Sequence, residues 1–130
     1  MMMRSALDSN LVHVHGDGKQ TRCLTWVDDI VQGIALSGRV DSCLKTGESL
    51  AGRSFNLGSA EEISMLELGK TICDLVHEKT GVLVQVEMTE GYPGDSLRRV
   101  PHLVDAENSL GWTATTSLEV GLRQTLESML

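Results

Sequence analysis

The chain has 130 residues, 41% of them hydrophobic, and a formal net charge of −7. That length suits one compact domain, and no apolar run approaches the ~18 residues that a membrane helix requires. The acidic balance argues against nucleic acid as a partner, because phosphate surfaces of that kind draw on clustered Lys and Arg, but a small anionic ligand needs only two or three placed arginines.

Residues 1–10 are small, polar and Met-rich and are expected to form a flexible lead-in to a single domain over residues 11–130. One basic residue, Arg4, and no apolar segment behind it make a poor secretory signal, so the default expectation is a cytoplasmic protein without a membrane anchor. Leu11-Val12-His13-Val14-His15 reads as a short strand that runs into a Gly16-Asp17-Gly18 turn, with Arg22 one strand residue beyond the returning chain. Thr25-Trp26-Val27-Asp28 has the spacing of a capping box, and Val27, Ile30, Val31 and Ile34 then share one face, which predicts a helix over 26–37 ended by Gly38.

A loop rich in Gly and Ser follows, and the alternation of residues 53–57 predicts a strand stopped by Gly58. Ser64-Met65-Leu66-Glu67 is a second capping box, flanked by Ile63 and Leu68 in the places of a hydrophobic staple. The stripe Met65, Leu68, Ile72, Leu75, Val76 marks the helix behind it, and Gly81 supplies a left-handed cap. Residues 83–87 alternate as a half-buried strand does, and 89–101 read as a surface loop. A short helix is expected over 105–110, ended by Gly111, and a last one from the capping box Thr116-Ser117-Leu118-Glu119, with Leu118, Leu122, Leu126 and Met129 on one side. The sum is an α/β fold: a small mixed sheet of three to four short strands with about four helices.

Two arginine-bearing segments carry the candidate chemistry. In Gly16-Asp17-Gly18-Lys19-Gln20-Thr21-Arg22 the paired glycines allow a tight turn, and a guanidinium held beside it can clamp a diphosphate with two parallel hydrogen bonds. The residues alone favour a plainer reading, a hairpin tip with a solvated arginine. In Gly91-Tyr92-Pro93-Gly94-Asp95 the acid is followed closely by Arg98 and Arg99, and the alternative there is a solvated loop with a capping acid. Asn56, ahead of Leu57-Gly58, can tie its own backbone into a turn. Asp28 and Asp29 favour the positive end of a helix dipole, a structural role. His13, His15 and Asp17 alternate along the strand, but no further ligand completes a metal set and no metal site is expected. Cys23, Cys43 and Cys73 are odd in number and without a CxxC pair, and are expected as inert reduced thiols.

Taken in order, Gly16-Asp17-Gly18 with Arg22, Val27-Asp28-Asp29, Phe55-Asn56-Leu57-Gly58 and Gly91-Tyr92-Pro93-Gly94-Asp95 with Arg98-Arg99 resemble the C-terminal half of NAD-dependent nucleotide-sugar epimerases and dehydratases, the extended short-chain dehydrogenase/reductase family. The resemblance covers residues 11–129 and implies a substrate-binding lobe. By that resemblance Arg22 contacts the nucleotide-sugar diphosphate, with Asp95, Arg98, the alternate Arg99, and Asn56 as the remaining substrate-binding residues. Tyr92 stands where relatives often carry a second arginine, and His102 replaces a frequent Asp.

The family's glycine-rich cofactor turn and its Tyr-x-x-x-Lys pair have no counterpart here, since position 96, four residues after Tyr92, is Ser96. No catalytic residue and no bound cofactor are therefore expected in this chain, and NAD or NADP is implied for the intact family only. The implied partners are a nucleotide-sugar, a separate NAD-binding Rossmann chain and further copies of this chain covering an apolar face. The alternative is a non-catalytic binding or interaction module that kept the fold. An Arg22 locked into an internal ion pair, leaving no cavity next to it, would overturn the binding reading.

Overall fold

A computed structural model describes residues 2–130. It contains, in chain order, α1 (Met2–Ser9), β1 (Leu11–His15), β2 (Thr21–Cys23), α2 (Val27–Ser37), β3 (Glu62–Ser64), α3 (Met65–Thr80), β4 (Gln85–Thr89), β5 (Arg98–Arg99), α4 (Val104–Leu110) and α5 (Leu118–Glu127). The α/β class agrees with the sequence, but the strands form two small sheets, β1-β4 and β3-β2-β5, and do not join in one. The described residues divide into two compact units: residues 2–22, 63–99 and 122–130 form unit 1, and 23–62 with 100–121 form unit 2.

In unit 1, β1 and β4 pair in parallel, with His13 opposite Glu87 and His15 opposite Thr89. Strand alternation sends Val12 and Val14, both fully buried, to the face covered by α3, and the histidines to the other. α3 comes close because Gly69 has no side chain: a Cβ there would lie 3.0 Å from Val14 Cγ2. Its Leu68, Ile72, Leu75 and Val76 are buried, and Met65 is half-buried.

Both caps of α3 form as expected. Ser64 Oγ accepts from Glu67 N at 3.2 Å, Glu67 Oε2 accepts from Ser64 N at 3.2 Å, and Gly81 closes the helix at φ 73°. The serine's hydrogen bonds hold the Glu67 carboxyl below the usual carboxylate range.

Residues 2–9 are not a flexible lead-in but the helix α1, which packs on β1 and α3 through Met3 and Ala6. Met3 and Ala6, three positions apart, supply that face, and two residues are too short a stripe to mark a helix in the sequence. The Gly16-Asp17-Gly18 turn is not a hairpin tip either. It carries the chain from β1 in one sheet to β2 in another, and Gly18, at φ 69°, leaves a built Cβ only 2.8 Å from Leu66.

Unit 2 is built on a core of Cys43, Leu50, Ala106, Leu110 and Trp112, with Ile30, Phe55 and Leu57 packed against it. α2 turns Asp29 and Gly33 inward, and Gly33 lets Leu57 and Trp112 approach within 2.8 and 2.9 Å of where a Cβ would stand. Asp29 is 3% exposed; its Oδ2 accepts from Thr116 N at 2.9 Å and its Oδ1 from Thr115 Oγ1 at 3.1 Å. Burial pushes its pKa up, but the Thr116 and Thr115 hydrogen bonds outweigh that and leave it below the ordinary value.

The expected capping box of α2 does not form. Thr25 Oγ1 accepts instead from Ser59 N at 2.8 Å, and Trp26 is the N-cap without a side-chain bond. Most of the expected apolar face of α2 points outward: Val27, Val31 and Ile34 are 55 to 59% exposed. Residues 53–57, expected as a strand, run without strand pairing.

Candidate functional site

The arginine cluster lies in unit 1. β2 pairs in parallel with β5, so that Thr21 stands opposite Arg98 and Arg22 opposite Arg99. Register partners in a parallel pair project to the same face, so the pairing sets two guanidinium-bearing positions side by side. Arg22 Nη1 donates to Thr21 O at 2.7 Å and to Ser96 O at 2.8 Å, while Nη2 donates to Asp95 Oδ1 at 2.6 Å. The Arg22 side chain is 20% exposed and that of Asp95 34%.

Asp95 reaches Arg22 from a turn in which its own N–H donates to Tyr92 O at 3.2 Å and Gly94 takes φ 79°, a conformation that favours glycine. Three of the five guanidinium protons are thus occupied, and Nε–H with one Nη2 proton remain. Arg22 and Arg99 thus share one face of the strand pair, while alternation sends Arg98 to the other.

The structure therefore brings Arg22, Asp95, Arg98 and Arg99 together in one unit. It also changes the expectation for Arg22, which is not presented free but held in an ion pair. Asn56 is in unit 2, where its Nδ2 donates to His102 O at 3.3 Å, a bond to another segment rather than to its own turn.

The histidines of β1 take separate partners. His13 Nδ1 lies 2.8 Å from Glu87 Oε2, and Asp17 Oδ2 lies 3.2 Å from Lys19 Nζ. Among the described residues no group of three or more His, Cys, Asp or Glu could hold a metal ion. His15 Nδ1 is 2.7 Å from Thr89 Oγ1, and its Nε2 is 3.3 Å from the Tyr92 hydroxyl, the two rings lying 4.6 Å apart at 49°. Sequence reasoning missed this chain of contacts. Its only advance signal was Tyr92 in place of an arginine, because His15 and Thr89 become neighbours only through the β1–β4 register.

Cys43 is buried in unit 2, and its thiol, hydrogen-bonded first by Thr46, is lowered to about 7. Cys73 is buried and raised by desolvation. An open cavity of about 580 Å³ in unit 2 has an apolar floor of Val40, Leu50, Phe55 and Leu57 that meets the α2 stripe at Ile34.

The one Gly-x-Gly turn that follows a strand, Gly16-Asp17-Gly18, leads into β2 and not into a helix N-terminus that could meet a pyrophosphate.

Comparison with known proteins gives a consistent picture. The GDP-mannose 4,6 dehydratase family model matches residues 1–125. UDP-glucuronic acid decarboxylase 2 of Arabidopsis thaliana is 33% identical over 117 residues, which are 90% of this chain and 23% of that protein. UDP-N-acetyl-alpha-D-glucosaminuronate decarboxylase of Bacillus cytotoxicus is 31% identical over 128 residues, 96% of this chain and 37% of the relative. In fold, the chain is similar to UDP-glucuronic acid 4-epimerase of Bacillus cereus, solved with UDP-glucuronic acid and NAD, at a TM-score of 0.75 and 22% identity over 99% of this chain and 39% of the other. UDP-glucose 4-epimerase of Thermotoga maritima, solved with UDP-glucose, superposes at 0.76 with 25% identity, covering 98% of this chain and 37% of that one. The chain thus spans between about a quarter and two fifths of these proteins.

Proposed function

This chain belongs to the GDP-mannose 4,6 dehydratase family of NAD-dependent extended short-chain dehydrogenase/reductase proteins, and we propose that it is a nucleotide-sugar binding lobe whose redox half is supplied elsewhere. The observation that carries this reading is the β2–β5 register, which sets Arg22 beside Arg99 with Asp95 bound to Arg22. A diphosphate would take the free Nε–H and Nη2 protons of Arg22, or displace Asp95 from it, with Arg99 beside it in register and Arg98 kept as a further candidate. Asn56 is a separate candidate in unit 2, with its side-chain oxygen as the available acceptor. The lobe alone carries no hydride chemistry and is inactive in this reading. The outward stripe of Val27, Val31 and Ile34 is the surface by which it joins a cofactor-binding chain or a second copy of itself.

Titrating UDP-glucose into the protein by calorimetry tests the site. Arg22→Ala should weaken binding about 10- to 100-fold, as expected for losing a charge-assisted pair of hydrogen bonds. Arg53→Ala, at the cavity in unit 2, should leave it unchanged.

A second reading, a non-catalytic interaction module, is favoured by one fact: the Arg22 charge is already met by Asp95 within the chain. On that reading Arg22→Ala lowers thermal stability, and UDP-glucose binding is absent from both proteins.

A further inference from the structure

We propose that residues 54–57 are an edge strand that pairs, antiparallel, with the same residues of a second copy of this chain; this rests on the reading of the outer α2 stripe as an assembly surface and is independent of the diphosphate site.

Along this segment Phe55 and Leu57 are half-buried while Ser54 and Asn56 are exposed, which is the alternation of a strand. Phe55 and Leu57 pack on the core of unit 2, so the segment is held in place by its own side chains. Its backbone is another matter. Among the described residues, no N–H or C=O group of residues 54–57 has a hydrogen-bond partner. The bonded backbone stops at Arg53 N, which donates to Leu50 O at 3.0 Å, and resumes at Ser59 N, which donates to Thr25 Oγ1 at 2.8 Å. An anchored, extended segment with a row of free donors and acceptors is a template for strand addition.

The charges beside it select the partner. Arg53, Phe55 and Leu57 line the open cavity of unit 2 together with Ile34 and Asp41, so the strand and the α2 stripe meet in one surface. Arg53 and Asp41 are both exposed, and among the described residues neither side chain has a partner. A surface with one unpaired base, one unpaired acid and one unpaired strand complements itself. About a twofold axis, Arg53 of each copy meets Asp41 of the other, and a strand paired with its own copy in this way runs antiparallel. The apolar pattern fixes the register. With the axis at Asn56, Phe55 of each copy stands opposite Leu57 of the other and four apolar side chains share one face, whereas an axis at Phe55 would set Arg53 against Leu57.

Light scattering and sedimentation of the intact protein measure the dimer, and amide hydrogen exchange locates the paired backbone. The amides of residues 54–57 should exchange freely in dilute protein and gain protection as the dimer fills. Ser54→Pro removes an N–H that bonds nothing within the chain, and should weaken dimerisation about 100-fold. Ser54→Ala should leave it within about twofold. Should the proline variant misfold, the charges decide the matter separately. Arg53→Asp should weaken the dimer about tenfold, and combining it with Asp41→Arg should restore it to within about threefold.

A dimer whose 54–57 amides stay unprotected, and which the change of Val27 and Val31 to Ser dissociates while Ser54→Pro does not, overturns the strand pairing and keeps the α2 surface. Protection of those amides without rescue of Arg53→Asp by Asp41→Arg overturns the twofold arrangement. A chain that stays monomeric at every concentration overturns both readings and leaves this edge to a different partner.

Discussion

α3 in unit 1 and α2 in unit 2 carry apolar stripes of the same period, and they meet opposite surroundings. Leu68, Ile72, Leu75 and Val76 of α3 are each at most 5% exposed, whereas Val27, Val31 and Ile34 of α2 are more than half exposed. The difference comes from where each helix places its small residue. Gly69 of α3 lies on the same side as its stripe and draws Val14 close, so burial and hydrophobicity agree. Gly33 of α2 lies opposite its stripe, beside Asp29, and the helix packs by that face against Leu57 and Trp112 while Asp29 bonds Thr115 and Thr116. A helical stripe therefore reports that something apolar will cover it and not that this chain does so.

The contrast can be broken at its strongest point first. Ile72→Ala should cost about 3 kcal/mol in urea unfolding, the usual cost of truncating a well-buried aliphatic side chain. A loss below about 1 kcal/mol would mean that the α3 face is not packed as described.

The next largest effect concerns the inward face of α2. Asp29→Ala removes two buried hydrogen bonds and should cost about 2 kcal/mol. Its sign with pH follows from the lowered pKa. The stabilisation from Asp29 is fully present above the unfolded value near 3.8 and is lost as pH falls through the lower folded value. Unfolding midpoints of wild type and variant should therefore begin to converge only below about pH 4 and draw closer as the pH falls further.

The smallest effect should come from the outer stripe. The double change Val27→Ser, Val31→Ser should alter the stability of the dilute protein by less than about 0.5 kcal/mol. In light scattering at high concentration the wild type should be a dimer or larger assembly and the double variant should shift toward monomer. A wild type that stays monomeric at every concentration removes the assembly role of this face.

Local signals in the sequence were read well where the chain alone decides the outcome. The Ser64–Glu67 box, the Gly81 and Gly111 caps and the α3 stripe depend on residues within a few positions of each other, and they form as expected. The signals that failed depend on competition from afar. Thr25 has the right spacing to cap α2, but Ser59 N takes its hydroxyl. The strand expected over 53–57 has the right alternation but no neighbouring strand to pair with.

The arginine and acid of the candidate site were legible as residue types, and Arg22, Asp95, Arg98 and Arg99 do share unit 1. That Arg22 would be bonded to Asp95 was not legible, because 73 positions separate them and only strand register closes the gap. The same holds for His15 and Tyr92, 77 positions apart.

The parallel pairing of β1 with β4 has a consequence for how the protein is made. His15 ends β1 and Gln85 begins β4, so 70 positions must be translated before the second strand exists. At about 5 to 20 residues per second that is roughly 4 to 14 s on the ribosome during which Val12 and Val14 have no β4 beside them. A nascent chain of this kind offers a sticky, unpaired ribbon to chaperones for longer than one whose first strands form a hairpin, and slow synthesis would lengthen that exposure.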